Sequence, residues 1–276
     1  MITMPDDRAS RVALSQFNIA EHYDTMAELD RDVHDNEALS AAEVSLALTL
    51  LDNVPKSVFL PCFGTGRHIP HLLKAGVQRI VGVDLSSVCV VKASELSAAN
   101  SDCVTLICKN LLRWRTEERF DAVLLLGNSF GDLIDEQLMC RLIRAMTDPL
   151  KPGGGFVMDY IGGHYLQRCR EGTSITWDAT YHGQPVKDTR TPRYDLERRV
   201  MTIDVSVVHA ISGETLWCGC YQKLILPPGT VYKMFGQART QICSRGQAYQ
   251  LNPYYKRHHG ELGMIARSSW WQGQKY

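Results

Sequence analysis

The chain has 276 residues, 45% of them hydrophobic, which is enough to bury a full core in one large domain or two small ones. Thirty Lys plus Arg balance thirty Asp plus Glu, so no global field draws the protein to nucleic acid or to an anionic membrane. Nine cysteines carry no C-x-x-C pair and no regular spacing, which argues for reduced thiols and against a disulfide framework.

Residues 1–11 are polar and charged where a signal peptide needs an apolar core, and no apolar run reaches bilayer-spanning length. A cytoplasmic protein with no membrane partner is expected. Ala41, Val44, Leu48 and Leu51 fall at helical spacing and predict an amphipathic helix. The period then changes. Short apolar runs at 57–61, 79–84, 104–109, 121–126 and 155–159 predict buried strands, and 69–75, 86–99 and 135–146 predict helices between them. Alternating β and α predicts a Rossmann-like, doubly wound, mostly parallel sheet covered on both faces.

Past residue 165 the pattern is antiparallel. Met201, Ile203, Val205 and Val207 alternate with polar residues, and 198–210 faces 215–226 across a Ser212-Gly213 turn. Tyr181 and the Gly183-Gln184-Pro185 turn predict a further strand pair, so an antiparallel β insertion follows the fifth parallel strand. Pro227 and Pro228 open a helix through 238. The expected organisation is an N-terminal helical lid at 1–56, a cofactor-binding core at 57–164, the insertion at 165–228 on the acceptor side, and a C-terminal helix with closing strands at 229–276.

The first chemical signal is the strand Val58-Phe59-Leu60 running through Pro61, Cys62 and Phe63 into Gly64-Thr65-Gly66. Such a turn brings backbone close to a ligand, and the helix after it offers unpaired N–H groups. Asp84 ends the next strand about 20 residues on, where doubly wound folds set a carboxylate against both ribose hydroxyls. A nicotinamide dinucleotide fingerprint wants a small residue where Ile69 stands, and a Walker loop wants Gly-Lys-Ser/Thr, which is absent.

The run Phe120-Asp121-Ala122-Val123-Leu124-Leu125-Leu126-Gly127-Asn128-Ser129-Phe130-Gly131-Asp132-Leu133, with Leu150-Lys151-Pro152-Gly153-Gly154-Gly155 after it, resembles class I S-adenosylmethionine-dependent methyltransferases. Within them, Leu126 to Phe130, Asn110 at the end of the third strand, and the insertion resemble the glycine N-methyltransferase group. The resemblance implies S-adenosylmethionine as cofactor, held by Phe63, Gly64, Gly66, Asp84, Leu85, Asn110, Leu111, Leu126 and Gly127. Gly64 and Gly66 would lie under its methionine part, Asp84 on ribose, and Asn110 with Leu111 on adenine. It also implies that Asn128 faces the acceptor amine, that Tyr23 is a lid aromatic, and that the Tyr181 hydroxyl lies near the sulfonium.

The chain departs from that group in instructive places. Leu60 stands where the first strand's acidic residue is expected, and Cys62 replaces the first glycine of the loop, so a carboxylate that backs the cofactor is missing. The arginine that grips a carboxylate in the glycine enzymes is Ile161 here. Glycine is therefore a poor substrate, and Gly162, Gly163, His164 and Tyr165 predict a more open, less cationic acceptor pocket.

The expected activity is methylation of a nitrogen in a small amine or N-heterocycle. The alternatives are an O- or C-methyltransferase with His164 as base, and a protein that binds the cofactor or its product without catalysis. No metal site is expected: His182, His209, His258 and His259 lack a recognised ligand spacing. The basic, aromatic stretch from Arg239 to Tyr276 reads as a terminal strand pair rather than a nucleic-acid surface. A homo-oligomer is compatible with the composition.

Overall fold

The computed structural model describes residues 19–30, 37–161, 173–247 and 268–276. In chain order these form α1 (Ile19–Ala27), β1 (Leu29–Asp30), α2 (Glu37–Leu50), β2 (Ser57–Pro61), α3 (Ile69–Lys74), β3 (Arg79–Asp84), α4 (Ser87–Leu96), β4 (Val104–Cys108) and β5 (Phe120–Leu125). Then come α5 (Glu136–Thr147), β6 (Leu150–Ile161), β7 (Ile175–Tyr181), β8 (Gln184–Asp195), β9 (Val200–His209), β10 (Thr215–Leu224), α6 (Pro228–Gln237), β11 (Thr240–Gln247) and β12 (Ser268–Lys275).

The main sheet has seven strands in the order β11-β12-β6-β5-β2-β3-β4. β2 to β6 run parallel, while β12 is antiparallel to β6 and β11 to β12. Side chains alternate between its two faces as the pleat requires. Phe59, Val123, Leu125, Phe156, Met158 and Trp271 join α5 and α6 in one core. Val58, Leu60, Ala122, Leu124, Val157 and Trp270 join α2, α3 and α4 in the other. Trp270 and Trp271 are thus buried, one on each face, and offer no stacking surface. Tyr249, Tyr254, Tyr255, His258 and His259 lie outside the described residues.

The strand order reverses between β2 and β5, so the ends of those two strands diverge and leave a crevice beyond their carboxyl ends. A second sheet, β1-β7-β8-β9-β10, is antiparallel throughout. Its edge is Leu29–Asp30, paired with Tyr181 and Thr180, a strand too short for the sequence to announce. The inward positions of this sheet, Val186, Met201, Ile203, Val205 and Val207, pack with Met26 of α1. α1 is tied in turn to the start of α4, where Asp24 accepts from the Ser86 hydroxyl at 2.5 Å and the Val88 N–H at 3.3 Å. A carboxylate there suits the positive end of the helix. No helix of the described residues is long and apolar enough to cross a membrane, and the eight described cysteines are free thiols.

Candidate active site

Four strand ends converge on the crevice. After β2 the chain turns through Cys62, Gly64 and Gly66, all at positive φ (52°, 58° and 78°). Cys62 therefore occupies a conformation that favours glycine, which accounts for the glycine expected at its place. The two glycines do different work. A Cβ on Gly64 would meet nothing within 4 Å, whereas one on Gly66 would lie 2.6 Å from the Ala93 Cβ of α4. Gly66 lets the helix pack, while Gly64 and Thr65 beside it line the cavity.

Asp84 closes the turn. Its Oδ2 accepts the Gly64 N–H at 2.8 Å and its Oδ1 the Ser86 N–H at 2.9 Å. Burial pushes its pKa up, and the N–H groups of Ser86, Gly64 and Leu85 pull it back. Each oxygen keeps a lone pair for a ligand hydroxyl. Beyond β4, the Asn110 Oδ1 accepts the Leu112 N–H at 2.9 Å and fixes the loop that presents Leu111.

Beyond β5, Gly127 and Asn128 are consecutive left-handed residues with φ of 86° and 60°. Asparagine tolerates that region better than most side chains, so backbone geometry is one reason for its presence. The Asn128 N–H donates to the Asp159 Oδ1 of β6 at 2.8 Å. Asp159 is 2% exposed, and burial followed by the Glu43 charge pushes its pKa up to about 7.

Behind the glycine turn stands Glu43 of α2, 2% exposed. Its Oε2 lies 2.6 Å from both the Arg67 Nη2 and the His68 Nε2, while the Arg67 Nη1 donates to the Ser40 hydroxyl at 2.9 Å. Burial opposes the Glu43 charge, yet Arg67 and His68 together hold its pKa below the usual range. Leu60 and Phe63 pack in the cluster to which α2 contributes Val44 and Ala47. A buried carboxylate therefore stands behind the loop after all, brought by a helix instead of the first strand.

The opposite wall comes from α1 and the inner face of the antiparallel sheet. The Tyr23 hydroxyl donates to Asp132, and Lys223 of β10 donates to the same carboxylate and, at 2.6 Å, to the Asn128 carbonyl. On β8, Arg190 pairs with the fully buried Asp188 at 3.2 Å and donates to the Tyr221 hydroxyl at 3.2 Å. His22 packs on Tyr221 with ring centroids 4.6 Å apart. Arg190 and Lys223 thus line the pocket, each paired with a carboxylate.

A cavity of about 400 Å³ runs between these walls. Its lining includes the expected Tyr23, Phe63, Gly64, Asp84, Leu85, Asn110, Leu111, Leu126, Gly127 and Asn128. It does not include Tyr181. That residue pairs with Leu29 and packs on His182 at 4.2 Å, two pleats along β7 from Trp177, which does line the cavity. Its strand partner Leu29 does line the cavity, and Tyr181 packs against the same apolar cluster as Leu29. His164 lies outside the described residues. Among the described residues, no group of three or more His, Cys, Asp or Glu could hold a metal.

Sequence reasoning missed Glu43, Asp132, Asp159, Arg190, Tyr221 and Lys223 as site residues. The signal for the sheet residues was charge at inward positions. Asp188 and Arg190 continue the inward period of Val186, as Lys223 continues that of Tyr221.

Residues 61–154 match the model of a family described as "Methyltransferase domain". A glycine/sarcosine N-methyltransferase from Aphanothece halophytica is 32% identical over 116 residues, 40% of this chain and 42% of that protein. The match thus spans less than half the length of that curated relative. Among solved structures, the sugar N-methyltransferase KedS8 from a Streptoalloteichus species is similar at a TM-score of 0.65 and 17% identity, covering 88% of each chain. The S-adenosylmethionine-bound amino pentose methyltransferase CalS10 from Micromonospora echinaspora is similar at 0.64 and 13% identity over the full length of both.

Proposed function

We propose that this chain, which carries a methyltransferase domain at residues 61–154 and the doubly wound fold of class I S-adenosylmethionine-dependent methyltransferases, transfers the methyl group of that cofactor to a nitrogen of a small molecule. The observation that carries the reading is the cavity itself: strand-end loops form one side, and polar and aromatic side chains of α1 and the second sheet form the other. The residues fit the cofactor. Gly64 and Gly127 leave open space where a Cβ would stand, and Asp84 offers a carboxylate for hydroxyls beside apolar Leu85 and Leu111.

The cofactor supplies an electrophilic methyl on sulfur, so the chain has to align the acceptor and exclude water. Met26, Ile175, Met201 and Ile203 exclude water from the acceptor side. Asp84 would hold the ribose, and Asn110 with Leu111 the adenine. Tyr23 and Asn128 would orient the acceptor nitrogen. Nitrogen as the target is supported by the Gly127-Asn128-Ser129-Phe130 run and by N-methyltransferases among the similar proteins.

The test incubates purified protein with methyl-labelled S-adenosylmethionine and a panel of amino sugars, amino acids and N-heterocycles. Label on nitrogen with release of S-adenosylhomocysteine is expected. Saturable cofactor binding with no transfer to any of them would make the chain a binding protein instead.

A further inference from the structure

We propose that Asp132 and Lys223 are positioning residues that hold the Tyr23 oxygen as an acceptor-only group facing the reacting nitrogen, so that the site selects substrates still carrying an N–H. The inference rests on the nitrogen-methylation reading above.

The geometry leaves the phenol no choice. Lys223, 5% exposed, donates to Asp132, and a carboxylate paired with an ammonium has no proton to give. Tyr23 therefore commits its only hydrogen to the other carboxylate oxygen, and its lone pairs are all that it can present to the cavity that it lines. Burial, followed by the Asp132 charge, pushes the Tyr23 pKa up, so the group stays a neutral phenol. Lys223 also fixes the Asn128 carbonyl at 2.6 Å, which ties the phenol's orientation to the loop after β5.

During transfer the amine lone pair forms the C–N bond while the S–CH3 bond breaks and its electron pair returns to sulfur. Positive charge passes to the nitrogen, and its N–H bond to the Tyr23 oxygen strengthens as it does. A proton then leaves to water. An interaction that grows along this path favours the transition state over the bound substrate.

The probe is sinefungin, which carries an ammonium where the cofactor carries its sulfonium methyl, compared with S-adenosylhomocysteine, which carries neither. Calorimetric titration of the wild type is expected to show tighter binding of sinefungin. In Asp132→Asn the amide can donate to Tyr23 and turn its hydrogen toward the cavity. That variant and Tyr23→Phe should each lower the preference for sinefungin about tenfold while S-adenosylhomocysteine binds as before. Should Asp132→Asn fail to fold in a melting experiment, Tyr23→Phe decides alone. An unchanged preference overturns the proposal and leaves the cofactor reading standing; a wild type that binds neither compound overturns both.

Discussion

Asp159 accepts the backbone N–H of Asn128 at 2.8 Å, so a carboxylate out of contact with water anchors the one loop that presents both Gly127 and Asn128 to the cavity. Burial first, and Glu43 next, raise its pKa to about 7, against about 3.9 in an unfolded chain. The folded state therefore binds a proton more tightly. The stability that this contributes is full below about pH 4 and is lost as pH rises to about 7. Asp159→Asn keeps an acceptor oxygen without the charge. Its stability relative to the wild type should rise between about pH 5 and pH 8, by about 2 kcal/mol or more, in urea denaturation. A constant gap would mean that the carboxylate does not titrate in that window.

The two glycines of the first loop should fail in different ways. Gly66→Ala forces a methyl to 2.6 Å from Ala93 and strains a residue at φ 78°, which should cost about 3 kcal/mol of stability. Gly64→Ala strains the backbone alone, at about 1–2 kcal/mol, but sends its methyl into open space on the cavity side. Denaturation and S-adenosylhomocysteine titration of both variants separate the cases. Equal loss of binding in two equally stable variants would return Gly66 to the cradle.

Asp84→Asn retains an oxygen for the Gly64 N–H but loses the charge that two ribose hydroxyls would meet. S-adenosylhomocysteine binding should weaken by about tenfold to a hundredfold in calorimetry, and the melting temperature should fall by a few degrees because the new amide NH2 faces the Ser86 N–H. Unaltered affinity would remove ribose from its partners and leave it a brace of the turn.

Restoring the expected strand-one acid should harm the protein. Leu60 is 3% exposed in an apolar cluster, and Leu60→Asp would bury a carboxylate there without a partner. Glu43→Gln should cost about 3 kcal/mol because Arg67 loses its charged partner in a largely buried place. A Leu60→Asp variant that is stable and binds S-adenosylhomocysteine more tightly would show that Glu43 does not stand in for the strand carboxylate.

Much of this was legible in the residues. Short apolar runs marked β2, β3 and β5 to within a residue, and the Ser212-Gly213 turn marked the β9–β10 hairpin, because each is a local relation between side-chain polarity and backbone direction. The positions of Gly64 and Asp84 followed from the same logic, and those of Asn110 and Gly127 from the family resemblance. Each sits just past or at the end of a parallel strand, where this topology opens its crevice. For Tyr181 the period assigns a face and not a distance along the strand. It shares its face with Trp177 but stands at the far end.

By itself, then, the order of residues determined the elements, the doubly wound sheet and which loops reach the crevice, since these depend on neighbours within a turn or a strand. Only the docking of α1 and the second sheet onto the first decided that Tyr23 meets Asp132 across 109 positions and that Lys223 meets it across 91. The pairing itself carries no local signature. What joins them is the register between two separately hydrogen-bonded layers, and that is set by the apolar surface buried between the layers.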